Sequence, residues 1–347
     1  MSRIFVAGLG AVSPAGWTVT SMRDALEIGK PLPVQMLDSR NGKPLAARLV
    51  PVPPTKPEFL AHPRLRRTSA ITHYTASVAL EAMAGIRPAC PKDARLGLIV
   101  CLQSGCVQYS SRFYDETLKN PATASPLLFP ETVYAAPASH IAALLGNVAL
   151  VSSQVGDPSS YLQAVSLAAL WVTEQRVDFC LVIGAEEPNW VTADALRHLD
   201  RTARISAGAG AVCLCSEPRF SMGIELTAIT DAHTYSTRRG RTMAAQAMRN
   251  QLNGDDNNIS MELLCDGTGN SSRADGPELA AWRDWTGPRL SPKRVLGEGL
   301  MAAPAWQCVA ACDALANNRF KTATVSLVGF NQQAIGAKFR KSSVGAT

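Results

Sequence analysis

Side chains able to act as nucleophiles stand together at one predicted helix start in this 347-residue chain. Ser159 and Ser160 follow Asp157 and Pro158, and a Ser hydroxyl becomes a nucleophile when a base lies beside it. In the alternative interpretation both Ser residues bond backbone N–H groups in the first helical turn, which is the more common role of Ser there. We therefore keep a serine enzyme as one hypothesis.

Two carboxylates in the second half of the chain, Asp266 and Glu298, are candidates for a paired acid and base. No sugar-binding or metal-binding motif accompanies them, which disfavours that use. Cys265 precedes Asp266 inside an apolar run, and this position favours a buried strand residue over a nucleophile. The five histidines all lie at or before position 233, so no histidine base follows that point: His62, His73, His140, His198 and His233.

The overall composition is that of a globular protein. The chain is 46% hydrophobic and 18% charged, and it is long enough for one large core or two fused halves. Its net charge of +6 is scattered, with small basic clusters at Arg64–Arg67 and Arg238–Arg241. Such clusters favour solvated surface, with a docking patch for an acidic partner as the alternative. No aromatic residues are interleaved with them, so nucleic-acid binding is not expected.

The cysteines indicate a reduced compartment rather than a metal site. Their number is odd and none forms a Cys-x-x-Cys pair, so we expect no zinc and a cytoplasmic location. The N-terminal apolar run is too short for a signal peptide, and no apolar run reaches roughly eighteen residues, so no membrane span is expected. The nine cysteines are Cys90, Cys101, Cys106, Cys180, Cys213, Cys215, Cys265, Cys308 and Cys312.

The order of predicted elements favours an α/β fold. Strand Arg3–Gly8 is followed by a predicted tight turn of small residues, but the acidic residue of a dinucleotide site is missing, so no cofactor is expected. Strands and helices alternate in two similar halves, residues 1–216 and 217–347, which predicts mixed sheets. Other predicted elements are the amphipathic helix Ser69–Ile86, the buried strands Leu96–Leu102 and Phe179–Glu186, a helix from Pro158 to about Glu174, and the helix Pro277–Trp285.

Several segments, in order, resemble the β-ketoacyl synthases. The resemblance spans essentially the whole chain, and it implies a thiolase-like five-layered α-β-α-β-α sandwich built from two similar halves. The segments are the Gly-rich opening Gly8–Gly16, the Ser-Pro-x-x-x-Pro box Ser125–Pro130, the nucleophile elbow Val155–Ala164, the strand Phe179–Glu186 and the Gly-x-Gly-Ala strand Ala207–Leu214.

At the three catalytic positions of that family this sequence departs from the pattern. The nucleophilic Cys is replaced by Pro158, whose ring has no thiol, hydroxyl or N–H. The two catalytic His positions correspond to Asp266 and Glu298, while Lys293 matches the structural Lys of the family. Carboxylates at these positions oppose the negative charge of an enolate or oxyanion. The resemblance therefore implies a scaffold without condensing chemistry, in which His140 is structural.

This combination resembles the chain-length factors of type II polyketide synthases, most of all those of aryl-polyene pathways. Such subunits keep the ketosynthase fold, lack the Cys and pair with an active ketosynthase. The resemblance implies a heterodimer with an active β-ketoacyl synthase through strand Ala149–Val155, and an acyl carrier protein as a further partner. It also implies that five residues line the far end of the partner's acyl tunnel: Gln108, Ser111, Arg112, Val133 and Tyr134.

Two alternatives stay open. One is an acyltransferase or hydrolase that uses Ser159 or Ser160 on the same fold, although the lack of His after position 233 weighs against it. The other is a stand-alone protein that binds an acyl carrier protein or acyl chains. A ketosynthase gene beside this one would favour the heterodimer.

Overall fold

Strands and helices alternate along the chain in the computed structural model, which describes residues 3–39, 42–53, 55–88, 91, 93–252, 261–269 and 271–342. Cys90 lies outside the described residues. The strands are β1 (Ile4–Val12), β2 (Gln35–Leu37), β3 (Leu45–Arg48), β4 (Leu96–Leu102), β5 (Val148–Val155), β6 (Phe179–Glu186), β7 (Ile205–Ser206), β8 (Gly208–Cys215), β9 (Ile224–Ile229), β10 (His233–Thr234), β11 (Glu262–Cys265), β12 (Arg289–Leu290), β13 (Thr322–Val328) and β14 (Gln333–Lys341). The helices are α1 (Val19–Ile28), α2 (Ala70–Ala84), α3 (Val107–Lys119), α4 (Ala136–Leu145), α5 (Ser160–Thr173), α6 (Trp190–Leu199), α7 (Arg238–Leu252), α8 (Ser272–Ala281), α9 (Pro292–Leu296) and α10 (Ala302–Ala316).

Within the described residues, eleven strands form one sheet in the order β12-β11-β13-β14-β9-β1-β8-β6-β4-β5, with β10 added beside β14. Its two ends repeat one pattern. β1, β8 and β6 are antiparallel and continue into parallel β4 and β5, while β9, β14 and β13 are antiparallel and continue into parallel β11 and β12. The halves join where β1 pairs with β9, with Phe5 opposite Glu225. The predicted fold of two similar halves is confirmed; the boundary at residue 216 stays a prediction.

The helices form three layers around the two half-sheets. α2 and α4 pack on the outer face of the first half, and α7 and α8 on the outer face of the second. α5 and α10 lie between the half-sheets, and α10 is buried along nearly its whole length. The indole N–H of Trp306 donates to the carbonyls of Val12 and Ala209, each at 3.0 Å, which ties α10 to β1 and β8. The predicted five-layered architecture is therefore confirmed.

The first strand corrects one sequence expectation. β1 does not end at Gly8 but continues to Val12 through the small residues predicted as a tight turn. A Cβ at Gly8 would lie 1.9 Å from the carbonyl oxygen of Ala82, and one at Gly10 would lie 2.2 Å from that of Val78. The glycines therefore serve the close packing of α2 against the strand rather than a change of chain direction.

The helix after the elbow starts later than predicted. Its first helical residue is Ser160 rather than Pro158, because residues 157–159 form a separate turn in which the Ser160 N–H donates to the Asp157 carbonyl at 2.8 Å. The carboxylate of Asp157 still acts as a cap, since Oδ1 accepts from the Ser159 N–H at 3.2 Å. Asp157 and Pro158 thus shape the approach to α5 rather than its first turn.

Two other predicted helices differ from the structure. α8 begins five residues before the predicted Pro277, because the Ser271 hydroxyl oxygen accepts from the Ala274 N–H at 3.0 Å and starts the helix there. α2 is buried on most sides rather than along one stripe, because it packs against both the sheet and α4. No helix in the described part of the chain has the length and apolar character needed to cross a membrane.

Candidate functional site

The elbow that would carry a nucleophile is kept as a rigid junction. Pro158 is buried between the end of β5 and the start of α5. Beside it, Oδ2 of Asp157 accepts from the N–H groups of Phe330 and Asn331 at 2.8 and 2.9 Å. A Cβ at Gly329 would lie 1.9 Å from Oδ1 of Asp157, so this close approach requires glycine. The junction therefore links both halves of the fold and holds the proline ring that the sequence resemblance aligns with the nucleophile.

The hydroxyls next to Pro158 are occupied by local bonds. Ser159 is only 1% exposed, and its hydroxyl donates to Oδ1 of Asp157 at 2.9 Å. The Ser160 hydroxyl donates to the Asp157 carbonyl oxygen at 2.7 Å. The expectation that these side chains accept from backbone N–H groups was wrong, because Asp157 supplies acceptors closer at hand. Ser159 has a carboxylate beside it but no exposed path for a substrate.

Asp266 is built into the loop after β11. It is 1% exposed, and its Oδ1 accepts from the Thr268 N–H at 3.0 Å, the Thr268 hydroxyl at 2.8 Å and the Ser291 hydroxyl at 2.7 Å. Its Oδ2 lies 3.4 Å from Nε of Arg289. These contacts lock the loop against the residue that precedes α9, so Asp266 works as a structural anchor.

Glu298 is anchored in a similar way. Its Oε1 accepts from the Leu300 N–H at 2.9 Å, and its Oε2 lies 2.8 Å from Nζ of Lys293. Burial lowers the pKa of Lys293, but the charge and hydrogen bond of Glu298, together with the charges of Glu278 and Asp275, outweigh it and the net shift is upward. The backbone of Glu298 also exchanges hydrogen bonds of 2.8 Å with Arg204 and Ser206. A buried ion pair thus occupies the space around this position.

The two carboxylates do not share one open space. A cavity of about 180 Å³ is lined by Glu298, Lys293, Glu278 and Phe330, among others, but not by Asp266. Burial and the nearby charge of Asp266 raise the pKa of Glu278 to about 8. The sequence pattern did not single out Glu278, whose carboxylate accepts from the Gly267 N–H at 3.2 Å. An acid–base pair of Asp266 and Glu298 would need both groups on a single substrate, and this cavity offers only one of them.

The remaining candidate side chains make internal contacts. Cys265 is fully buried, its thiol donates to the Gln307 carbonyl at 3.3 Å, and burial raises the pKa of that thiol well above its ordinary value. Each cysteine in the described residues is buried, and none of them forms a disulfide with another described cysteine. Nε2 of His140 lies 2.9 Å from Oε1 of Glu131. Over the same residues, no group of three or more acidic, Cys or His side chains is arranged to hold a metal ion.

The five predicted tunnel residues lie on α3 and on the segment just before α4. The side chain of Gln108 donates to the Pro188 carbonyl at 3.0 Å, and exposed Arg112 pairs with Glu116 at 3.4 Å. Ser111 is half-buried on the same helix. Val133 and Tyr134 are 44% and 42% exposed. Tyr134 also packs on Gly105, where a Cβ would lie 2.6 Å from its ring, so the segment is seated against the start of α3.

Two buried acids that the sequence pattern did not single out hold α3 in place. Glu187 accepts from the N–H of Gln108 at 2.8 Å and from that of Ile71 at 3.1 Å, so one carboxylate caps the first turns of α3 and α2. Glu186 accepts from the N–H of Gln103 at 2.5 Å. Burial raises the pKa of Glu186 to about 8 and that of Glu187 to about 7. The signal in the sequence was a pair of adjacent acids at the end of a buried strand.

Exposed apolar side chains occur on the edge strand β5 and on the chain around α3. No residue of β5 is fully buried, and its side chains alternate between half-buried and exposed, whereas neighbouring β4 is buried throughout. β5 is the last strand of its half-sheet, and its outer edge has no strand partner among the described residues. We define the β5–α3 surface as the exposed large apolar side chains of this region: Tyr114, Leu118, Leu127, Phe129, Val133, Tyr134, Val151 and Val155.

Comparison with solved structures assigns the fold. The chain is similar to a β-ketoacyl synthase from Burkholderia phymatum, with a TM-score of 0.82, 17% identity and coverage of 98% of this chain and 100% of that chain. It is similar to a chain of the ketosynthase ApeO in complex with its chain length factor ApeC from Xenorhabdus doucetiae, with a TM-score of 0.80, 13% identity and 98% coverage of each chain. The ishigamide ketosynthase/chain length factor gives a TM-score of 0.77, 17% identity and coverage of 98% and 100%.

No protein-family profile and no curated protein sequence matches this chain. The structural likeness covers nearly the whole chain at low identity. The chain therefore has the thiolase-like fold of ketosynthases and chain length factors.

Proposed function

We propose that this chain is a non-catalytic, chain-length-factor-like subunit that pairs with an active β-ketoacyl synthase and shapes its acyl tunnel. The observation that carries the proposal is an intact ketosynthase fold whose three reactive positions are all committed to structure. Pro158 has no reactive group, while Oδ1 of Asp266 and both carboxylate oxygens of Glu298 are bound by internal donors. Condensation needs a nucleophile and hydrogen-bond donors to an oxyanion, and an ionised carboxylate can only accept.

The β5–α3 surface supports the pairing. An unpaired, apolar edge strand is costly to leave in water and invites another strand. Since β4 and β5 are parallel with Leu102 opposite Val155, the end of β5 and the start of α3 lie at the same end of the sheet. A partner seated on β5 thus also meets Val133 and Tyr134, which is where a tunnel wall would be needed.

The solved complexes give this proposal its partner class. ApeO is a ketosynthase in complex with its chain length factor ApeC, and a second neighbour is a type II polyketide synthase acyl-carrier protein bound to its ketosynthase. By analogy we propose a ketosynthase as the direct partner and an acyl carrier protein as the substrate carrier. The pathway is proposed to build a polyketide or fatty-acid-like chain, as in aryl-polyene synthesis.

The two alternatives are less well supported. A serine acyltransferase or hydrolase would need Ser159 or Ser160 to reach substrate, but Ser159 is 1% exposed and both hydroxyls are held by Asp157. A stand-alone acyl or carrier-protein binder would leave the edge of β5 uncovered unless two copies of the chain paired through it.

Co-expression with the ketosynthase encoded nearest to this gene tests the proposal. We expect a 1:1 complex by light scattering, with roughly 2,000 Å² or more buried, as is usual for obligate interfaces. Expression of the chain alone is expected to give aggregates or a homodimer. A stable, monodisperse monomer that does not bind the ketosynthase would contradict the pairing.

A further inference from the structure

Arginines that have no carboxylate partner converge on the cavity beside Glu298. Arg48 comes from the end of β3, Arg204 from the loop before β7, Arg241 from α7 and Arg294 from α9, and all four line this cavity of about 180 Å³. Among the described residues, none of the four forms an ion pair with a carboxylate within 4.0 Å. Four separate elements thus bring cations to one space.

Two of these guanidinium groups are only partly exposed and retain unused donors. The Nε of Arg48 donates to the Leu32 carbonyl at 2.8 Å, which leaves its terminal N–H groups free to face the cavity. Burial, and after it the like charge of Arg204, lowers the pKa of Arg48, so two cations are held near each other. The Nε of Arg241 is buried and has no hydrogen-bond partner among the described residues. Like charges held close together with unused donors favour an anion between them.

The four acidic residues of the cavity offset these cations only in part. Asp200 accepts from the Thr202 N–H at 2.9 Å, and Asp275 accepts from the Gly269 N–H at 2.9 Å. Glu278 carries a raised pKa of about 8, and Glu298 is paired with Lys293. The four arginines therefore face only two carboxylates, those of Asp200 and Asp275, whose charge is not already neutralised, and positive charge is in excess at this site.

We propose that this cavity binds a phosphate group, held by the guanidinium groups of Arg48 and Arg241 with Arg204 and Arg294 at its rim. Guanidinium forks from several directions suit an anion with oxygens in more than one plane, and a phosphate fits this better than a flat carboxylate. The space is large enough for one phosphate group and small enough to exclude a long chain. This site lies beyond the partner role, and it stands or falls independently of the pairing.

The same chemistry has two possible sources. The phosphate can belong to a small molecule free in solution, or to the phosphodiester of a prosthetic arm on a carrier protein. A neighbouring cavity of about 240 Å³ shares Arg241 and Phe330 with this one and is also lined by Tyr235 and Arg238. It adjoins the start of α7, where helix N–H groups add to the attraction for negative charge. Both sources would meet the same arginines.

Calorimetric titration with inorganic phosphate and with pyrophosphate tests the site, at constant ionic strength and with chloride as the control anion. The protein is the purified chain, or its complex where the two copurify. We expect saturable 1:1 binding of at least one of the two anions per chain. Arg48→Gln and Arg241→Gln should each weaken it about tenfold, the usual effect of losing one charge-assisted hydrogen bond. Arg197→Gln, which removes an exposed arginine on α6, should leave the affinity unchanged.

Further measurements distinguish the two sources of the phosphate group and detect misfolded variants. Circular dichroism checks each variant, and Arg241→Lys keeps the charge while losing the fork, so it should weaken binding even where Arg241→Gln fails to fold. Competition of pyrophosphate by phosphopantetheinylated carrier protein but not by its unmodified form would assign the phosphate to the carrier; no competition by either would assign it to a free metabolite. No saturable binding of any of these probes, or equal binding by the Arg48→Gln and Arg241→Gln variants, would overturn the proposal.

Discussion

The Nζ atom of Lys293 lies 2.8 Å from Oε2 of Glu298, and both side chains are largely buried. A lysine in this setting needs a counter-charge, because burial opposes its charged form. The carboxylate of Glu298 supplies that charge and at the same time accepts from the Leu300 N–H. The sequence resemblance aligns Glu298 with a position that faces a developing anion in condensing enzymes, but here its carboxylate stabilises a cation of the protein itself.

Removing Glu298 should therefore destabilise the fold. Glu298→Ala leaves buried Lys293 without the carboxylate that contacts it, and we expect the free energy of unfolding to fall by about 3 to 5 kcal/mol in denaturant titrations. Lys293→Met combined with Glu298→Leu removes both charges and should recover much of this loss. Glu58→Ala, at an exposed acid, is the control. A loss below about 1 kcal/mol in Glu298→Ala would show that the pair is not structural.

The sequence was sufficient to predict the elements that depend mainly on neighbouring residues in the chain. β4 and β6 have the predicted bounds because continuous apolar runs between turn residues permit little else. β1 runs past its predicted end because Gly8 and Gly10 allow the backbone of α2 to pack closely against the strand, and this contact joins elements far apart in the chain. The start of α5 was misplaced because residues 157–159 form a separate turn, in which the Ser160 N–H donates to the Asp157 carbonyl.

For the site, sequence reasoning identified which residues replace the reactive ones but not what those residues do. Asp266 and Glu298 were predicted as obstacles to an anion, and their roles as anchors depend on Ser291 and Lys293 in three dimensions. The convergence of Arg48 with Arg241 could not be predicted either, since nearly two hundred residues separate them in the chain.

The edge of β5 should be essential for pairing. Val151→Asp and Val155→Asp each place a charge on side chains that are 49% and 54% exposed along this edge, and a desolvated, unpaired charge opposes association. We expect each variant to lose the 1:1 complex with the ketosynthase in pull-down and light scattering. Val52→Asp, at a residue that is 91% exposed elsewhere, should pair normally. An unchanged complex in both β5 variants would place the interface on another surface.

Side-chain volume at the tunnel residues should set product length. Tyr134→Ala opens space next to Gly105, so the reconstituted pair should make longer chains, while Ser111→Phe should shorten them. A polyene is rigid and cannot fold aside, so a bulky group acts as a hard stop, and early condensation rates should change little. Mass spectra of carrier-bound products measure this. Unaltered lengths in both variants would remove these residues from length control.

Stability should fall with rising pH because of Glu186. Burial raises its pKa from 4.5 to about 8, so its folded form holds a proton that the unfolded chain releases. Its stabilising contribution is complete below about pH 4.5 and is lost as the pH rises toward 8. Glu186→Gln keeps an oxygen acceptor for Gln103 and cannot titrate. The difference in free energy of unfolding between this variant and the wild type should therefore shift in favour of the variant by on the order of 2 to 3 kcal/mol from pH 5 to pH 8. Glu58→Gln is the control, and parallel profiles of Glu186→Gln and wild type would disprove this assignment.

Mass spectrometry of carrier-bound products from malonyl thioesters tests the central claim most directly. The preparations are the chain alone, its Pro158→Cys variant alone, the ketosynthase alone and the co-purified pair. We predict no condensation or decarboxylation by the first two, because Asp266 and Glu298 still oppose developing negative charge when a thiol is restored. We predict full-length product only from the pair. Turnover by the chain or by Pro158→Cys alone would contradict the non-catalytic role, and full-length product from the ketosynthase alone would contradict the role as its partner.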